Sequence, residues 1–218
     1  LPEWKMKDNT FYKRSKILNA YGNVIVNDKL NNYQLYTDKI IYDKNKEIIF
    51  TKNNSKAIDL NDDSIITAKD FQYERLKNIL TAKENVKLDS KLNDYKINGD
   101  FAKYLRNDEK IFTIGKTSAL IKSKYKVDTK NIIFLKIPMK LISDENTTIT
   151  DKNNLYNLKK FIYHINTDEI IGENINVMSN YKSPDSDRFY FTSANINLNT
   201  ENFVAKDTKI RIHKSIFD

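Results

Sequence analysis

Apolar and polar residues alternate with a period of two along several segments of this chain. In a β-strand, residues of one parity face the same side, so this pattern predicts strands that share one apolar surface. The other parity, which includes Asn19, Lys83 and Lys87, is more polar. The residues expected to line the apolar surface are Leu18, Ala20, Val24, Val26, Leu80, Ala82, Val86, Leu88, Phe112, Ile114 and Leu120.

An internal repeat sets the spacing of the predicted strands. Tyr12, Tyr42, Tyr73 and Tyr104 end successive incoming strands at separations of 30, 31 and 31 residues, and each precedes a polar turn. Such self-similarity indicates a stack of one supersecondary unit, here a hairpin. With only 4 Gly and 3 Pro, the turns must be made mainly by Asn and Asp, which tolerate left-handed backbone conformations.

These patterns predict an all-β fold of repeated hairpins with about 12 to 14 strands. The core must be thin, because 39% of the residues are hydrophobic and 30% are charged. We find no linker in the sequence, which favours one continuous stack and a single domain over residues 1–218.

Charge and composition narrow the possible partners without choosing among them. The net charge of +8 suits nucleic acid, an anionic membrane surface or a phosphorylated glycolipid. The absence of Cys excludes disulfides and thiolate metal sites. No stretch approaches the roughly 18 to 20 consecutive apolar residues of a membrane-spanning helix.

The sequence contains no recognisable active site, so we predict no catalytic residue, no metal and no cofactor. His164 and His213 lack a nucleophilic or acidic partner at a known spacing. Residues 59–63 resemble the start of a calcium loop, but Ser64 stands where the turn glycine belongs. Lys122, Lys124 and Lys126 share one parity without stacking aromatics, which is more typical of a solvated face than of a nucleic-acid platform.

The repeated units resemble those of a known family. Residues 18–24 (Leu-Asn-Ala-Tyr-Gly-Asn-Val), 37–43 (Thr-Asp-Lys-Ile-Ile-Tyr-Asp) and 68–73 (Ala-Lys-Asp-Phe-Gln-Tyr) are similar to the A-x-G-N-V and A-D-x-x-x-Y-D signatures of the OstA-like lipopolysaccharide-transport family. The resemblance covers nearly the whole chain and is weakest between Val127 and Leu155.

This resemblance implies an open, twisted β-jelly roll (β-taco) whose apolar interior holds the acyl chains of lipid A. It implies a non-enzymatic conduit in the periplasm, attached to the outer membrane of a Gram-negative bacterium. The chain would then be a fragment that precedes an outer-membrane β-barrel.

The resemblance also implies partners. Lipopolysaccharide would arrive from an LptA-like periplasmic bridge, joined by strand addition at the strands around Tyr12 to Val26. The strands around Phe203 to Ile212 would meet the barrel, with its LptE-like lipoprotein. Nucleic acid is not expected as a partner. Two alternatives stay open: a structural β-solenoid or adhesin-like module that binds a protein, and a basic nucleic-acid-binding module.

Overall fold

The computed structural model describes the backbone of residues 3–5 and 16–212, and side chains within 16–212. Most of this part of the chain is strand, and its one helical element is a 3-10 turn at Arg106–Asp108. Neighbouring strands pair in antiparallel orientation. The all-β, jelly-roll-like class predicted from the sequence is therefore confirmed.

The chain divides into two compact units, residues 1–115 and 116–218. Nothing in this division decides whether the units form one domain, so the single domain stays a prediction. Unit 1 contains β1 (Glu3–Lys5), β2 (Ile17–Asp28), β3 (Tyr33–Asp43), β4 (Ile48–Lys52), β5 (Ser55–Asp59), β6 (Ser64–Ala68), β7 (Asp70–Glu74), β8 (Ile79–Ser90), β9 (Tyr95–Leu105) and the start of β10 (Lys110–Ile121). Unit 2 contains the rest of β10, β11 (Tyr125–Lys130), β12 (Ile133–Leu135), β13 (Lys140–Thr150), β14 (Leu155–His164), β15 (Glu169–Met178), β16 (Arg188–Asn197), β17 (Phe203–Lys206) and β18 (Lys209–Arg211).

Successive strands form a meander of hairpins with short polar turns. Asn32, Asp63, Asn78 and Asp94 occupy such turns with positive φ angles between 45° and 55°. This is the left-handed region, which Asn and Asp enter more readily than most residues. The prediction that Asn and Asp make the turns is thus confirmed at these positions.

Five of the longer strands, β2, β8, β10, β14 and β15, bend near their middle, where a second set of residues has positive φ. Gly22 and Asn23 break β2, and Glu84 and Asn85 break β8, each at a register shift against the next strand. At four places the break divides a strand in two, giving β4 and β5, β6 and β7, β11 and β12, and β17 and β18. When each divided strand is counted once, the 18 strands of the described residues become fourteen, within the predicted range.

The bend places the two halves of each strand in different layers, which face each other across a packed interior. In unit 1 the first layer contains residues 17–21, 39–43, β4, β7, 79–83 and 101–105, and the second contains residues 24–28, 33–37, β5, β6, 86–90 and 95–99. Val24, Ile40, Ile49 and Tyr73 between these layers are fully buried. In unit 2 Val127, Leu141, Ile149 and Tyr163 are equally buried.

The hairpin turns of unit 1 form two rows at the ends of these layers. Turn row A contains residues 44–47, 75–78 and 106–109, and turn row B contains residues 29–32, 60–63 and 91–94. Backbone hydrogen bonds link neighbouring turns within a row, as from Arg75 N to Glu47 O (3.0 Å) and from Leu60 N to Asn32 O (3.0 Å). We call the line along which the two rows meet the seam.

Candidate functional site between the two layers

Eight of the eleven residues predicted to line the apolar surface lie between the layers. They come from both halves of β2 and β8, because the bend of each strand preserves the inward parity. Their exposed fractions range from 0% to 8%. The eight are Leu18, Ala20, Val24, Val26, Leu80, Ala82, Val86 and Leu88. Lipid contact at these positions stays a prediction.

The inward orientation predicted for the other three residues is wrong. Ile114 and Leu120 are 59% and 37% exposed, and Phe112 is half-buried, with the Nζ of Lys110 4.7 Å from its ring centroid. The inward parity of β10 is the opposite one and contains Ile111, Thr113, Thr117, Ala119 and Ile121. Two of these five are threonines, so apolar character misidentifies the inner face of this strand.

Buried hydroxyl groups account for polar residues on the inner face near the bend. The Oγ atoms of Thr51 and Ser55 lie 2.5 Å apart, and Ser55 Oγ also donates to the carbonyl of Lys69 (3.2 Å). Thr51 Oγ1 accepts a hydrogen bond from the backbone N–H of Phe71 (2.9 Å). In unit 2, Thr147 donates to Thr129 (2.7 Å). Because buried polar groups require partners, hydroxyls are suited to positions where a bent strand leaves backbone groups unpaired.

A buried ion pair bridges the two turn rows in the middle of unit 1. Arg106 in row A bonds Asp59, which adjoins row B, with Nη2–Oδ1 at 3.0 Å and Nε–Oδ2 at 3.2 Å. Both side chains are almost fully buried. Arg106 Nη1 also donates to Asn78 Oδ1 (2.8 Å), and its guanidinium lies 4.2 Å from the ring centroid of Tyr33. The buried positive charge of Arg106 is thus compensated by a carboxylate, an amide oxygen and an aromatic ring, as the burial of a charge requires.

A second pair repeats this arrangement one hairpin earlier. Arg75 in row A bonds Asp28 beside row B (Nε–Oδ2 3.1 Å) and also contacts Glu47. Burial raises the pKa of Asp28, but the hydrogen bonds from Arg75 and Asn31 outweigh burial and hold that pKa below its ordinary value. Burial lowers the pKa of Arg75, but the bond to Asp28 outweighs it and the net shift is upward. Both groups are therefore charged at neutral pH.

Buried tyrosines complete the seam of unit 1. The hydroxyl of Tyr73 donates to Asp28 Oδ2 (3.2 Å), and that of Tyr104 donates to Asp59 Oδ2 (3.2 Å). Tyr42 donates to Glu47 Oε2 (2.7 Å), and burial, aided by this carboxylate, raises the pKa of Tyr42 to about 12. Burial also raises the pKa values of Tyr73 and Tyr104. These hydroxyls stay protonated and serve as donors.

Unit 2 has bridges of the same kind between its own turns. Lys122 Nζ lies 2.7 Å from Asp168 Oδ1, which also accepts from Tyr163 Oη (3.1 Å). Asn154 Nδ2 donates to Glu201 Oε1 (3.1 Å). The rings of Tyr125 and Tyr163 meet edge to face with centroids 6.2 Å apart.

The sequence predictions missed the charged residues of the seam, although a signal was present. Asp28 and Asp59 are 31 residues apart, as are Arg75 and Arg106, and Tyr73 and Tyr104 have the same spacing. The aromatic residues of the repeat and these charged residues thus share one spacing, which is the signal that could have located the seam.

The predicted partner edges lie at both ends of the described chain. Tyr12 falls outside the described residues. Val26 is buried and pairs with Trp4 of β1 and with Leu35 of β3, so β2 has a strand on each side at this residue. Phe203 begins β17 opposite Ile196. Ile212, just after β18, is 48% exposed.

The remaining candidates from the sequence are the calcium-loop-like segment, the two histidines and the lysine stripe, and the structure shows a structural role for some of them. Asp59 bonds Arg106, and Asp62 Oδ1 accepts from the backbone N–H of Ser64 (3.0 Å). His164 is half-buried on the outer parity of β14, while His213 lies outside the described part. Within the described residues, no group of three or more His, Asp or Glu could hold a metal ion. Lys126 pairs with Asp128 (2.7 Å).

No protein-family model matches the chain, and no curated protein matches it. Among the described residues, no helix is long and apolar enough to cross a membrane.

Proposed function

We propose that this chain is a non-enzymatic lipid conduit that receives lipopolysaccharide from a periplasmic bridge and passes it to an outer-membrane barrel. In this role it would be similar to the periplasmic N-terminal domain of LptD. The observation that carries the proposal is the seam: an apolar interior lies behind two rows of turns that are joined by side-chain ion pairs and hydrogen bonds.

A seam of this kind suits a lipid-binding interior because it can separate without breaking the sheet. Each layer keeps its backbone hydrogen bonds to neighbouring strands when the turn rows move apart. Acyl chains that replaced contacts between the layers would contribute about 0.8 kcal/mol for each buried CH₂ group. The aliphatic side chains of the interior offer no directional bond, so a bound chain could slide along them.

The polar turn rows also suit an amphiphilic ligand. The sugars of the lipid would stay in water beside turns rich in Asn and Asp, while its acyl chains lie between the layers. Arg75 and Arg106 would be available to phosphate groups once separated from Asp28 and Asp59, since guanidinium groups bind phosphate with paired hydrogen bonds.

The filled interior favours a second candidate, a structural module that binds a protein partner and no lipid. Interior residues such as Val24, Ile49 and Tyr73 are fully buried, as in an ordinary protein core. Lipid binding requires the layers to separate, whereas the structural module requires them to stay together.

Photo-crosslinking in bacterial cells separates the two functions. A photoreactive residue at Leu88 faces the interior, and matched controls at Lys87 and Phe112 lie on the outer parity. The conduit predicts lipopolysaccharide adducts at Leu88 and none at the controls. Absence of adducts at Leu88 in a folded, expressed protein would favour the structural module, and adducts on the outer face alone would contradict both.

A further inference from the structure

Unit 2 contains a cavity of about 130 Å³ near its last strands. Its apolar walls are Tyr156, Val177, Phe189, Phe191, Ile196 and Phe203. Four of these walls come from one layer, while Ile196 and Phe203 come from the other, so the cavity is part of the interior. Phe191 is 3% exposed whereas Phe203 is 43% exposed, so the cavity leads from the core to solvent.

The three phenylalanines make this cavity a defined pocket. The ring centroid of Phe203 lies 4.8 Å from that of Phe191 and 6.1 Å from that of Phe189, and both pairs are tilted. Tilted rings at these distances attract each other and hold the walls in place. A large aromatic side chain with nearly half of its surface exposed presents apolar area that a ligand could cover.

Polar groups lie at the rim of the pocket. Asn154 Nδ2 donates to Glu201 Oε1 (3.1 Å), and both residues border the cavity. Glu201 is exposed, so its carboxylate places a negative charge where a ligand would enter. A phosphate or carboxylate would be repelled there, whereas an uncharged apolar group would not.

The size of the cavity limits the ligand further. An apolar cavity of about 150 Å³ in a protein core can bind benzene. The pocket has similar volume and apolar walls, so it has room for a few carbon atoms and not for a whole lipid. The remainder of a longer ligand would have to lie outside, past Phe203.

We propose that this phenylalanine pocket, defined by Phe189, Phe191 and Phe203, binds the methyl end of a straight acyl chain. The inference rests on the proposed function for the source of that chain, a lipid. It adds a specific position, in which the uncharged terminus enters and the charged head group stays away from Glu201. The binding itself can be tested with simple fatty acids.

The test uses the full 218-residue chain and a dodecanoic acid that carries a diazirine near its methyl end. After irradiation, mass spectrometry maps the labelled peptides. We expect labelling at the pocket walls, suppressed by unlabelled 1-dodecanol and not by dodecanedioic acid, which has a carboxylate at both ends. Equal suppression by the two competitors, or labelling spread over the outer face, would overturn the proposal.

A matched pair of variants adds a second readout. Phe203→Ala removes one wall and should weaken labelling about fivefold, the effect of losing roughly 1 kcal/mol of aromatic contact. Val204→Ala alters the next residue of the same strand, which is 81% exposed, and should leave labelling unchanged. Equal labelling of both variants would overturn the proposal. If Phe203→Ala does not fold, the competition in the unaltered chain decides alone.

The pocket and the conduit can fail separately. Labelling of the pocket without lipopolysaccharide adducts at Leu88 would support the pocket and reject the conduit. Adducts at Leu88 without labelling of the pocket would support the conduit and reject the pocket.

Discussion

Arg106 and Asp59 form two hydrogen bonds across the seam of unit 1, with both side chains almost fully excluded from water. Arg106 lies in turn row A and Asp59 lies at the end of β5, next to turn row B, so this pair joins the two layers at the seam. The pair therefore contributes to closure of the seam as well as to local stability.

We expect Arg106→Met to lower the free energy of unfolding by about 3 to 5 kcal/mol, because Asp59 is left as an uncompensated buried charge. Adding Asp59→Leu should restore much of the loss. The midpoint of urea unfolding, followed by circular dichroism, measures both effects. The control is Lys77→Met, which removes an exposed pair with Glu74 and should change stability by less than about 1 kcal/mol. Equal effects of Arg106→Met and Lys77→Met would contradict the structural role of the seam.

Val86 and Phe112 should respond in opposite ways to Asp. Val86 is 4% exposed, so Val86→Asp buries an unpaired carboxylate and should destabilise the chain by more than about 3 kcal/mol. Phe112→Asp alters the outer face and should cost about 1 kcal/mol, mainly through the lost contact with Lys110. Urea unfolding compares the two variants, and a larger loss for Phe112→Asp would reverse the assigned orientation of β10.

Alkaline pH should destabilise the chain through its buried tyrosines. The pKa of Tyr42 is raised to about 12 in the folded chain, against about 10 in an unfolded one. A raised pKa means that the stabilisation is complete below pH 10 and is lost as pH rises through 12. Urea midpoints at pH 8, 10 and 11.5 should therefore fall with pH. Tyr42→Phe should have a lower urea midpoint than the unaltered chain at pH 8, but its midpoint should fall less between pH 10 and 11.5. An equal fall of the two midpoints over that range would refute the contribution of Tyr42.

Two glycines are required for different reasons. A Cβ at Gly172 would lie 2.9 Å from Leu158 Cδ1 and 3.2 Å from Lys160 O, so Gly172→Ala should cost about 1 to 3 kcal/mol through overpacking. Gly22 has open space but a φ of +77°, so Gly22→Ala should cost about 1 to 2 kcal/mol through backbone strain. Calorimetry measures both losses. Adding Leu158→Val should partly restore the stability lost in Gly172→Ala but not that lost in Gly22→Ala. Gly22→Asn should lose less stability than Gly22→Ala.

The sequence was sufficient to predict the class of fold and much of the interior of unit 1. Period-two alternation identified both halves of β2 and β8, and the tyrosine spacing located turn row A. The inner face of β10 could not be read in this way. Thr113 and Thr117 are buried there, while Phe112 is half-buried and Ile114 is exposed on the outer face. Hydropathy alone therefore selects the wrong parity.

The 31-residue spacing of the charged residues is visible in the sequence, but their pairing across the seam is not, for a different reason. An Asp or Arg in a turn is usually solvated, and only the bend of each strand brings Asp28 to Arg75 and Asp59 to Arg106. The same bend creates the phenylalanine pocket from residues of four strands. Neither feature follows from local periodicity.

The sequence separation across the seam has a kinetic consequence. Asp28 and Arg75 are 47 residues apart, as are Asp59 and Arg106, whereas the ladders of β2 with β3 and of β8 with β9 join strands that follow each other in the chain. Closing the longer loop loses more chain entropy, so hairpins should form early and the bridges late in folding. Contacts absent from the transition state mainly govern the rate of unfolding. The charged pairs would then mainly set the rate of unfolding, while the local hairpins set the rate of folding.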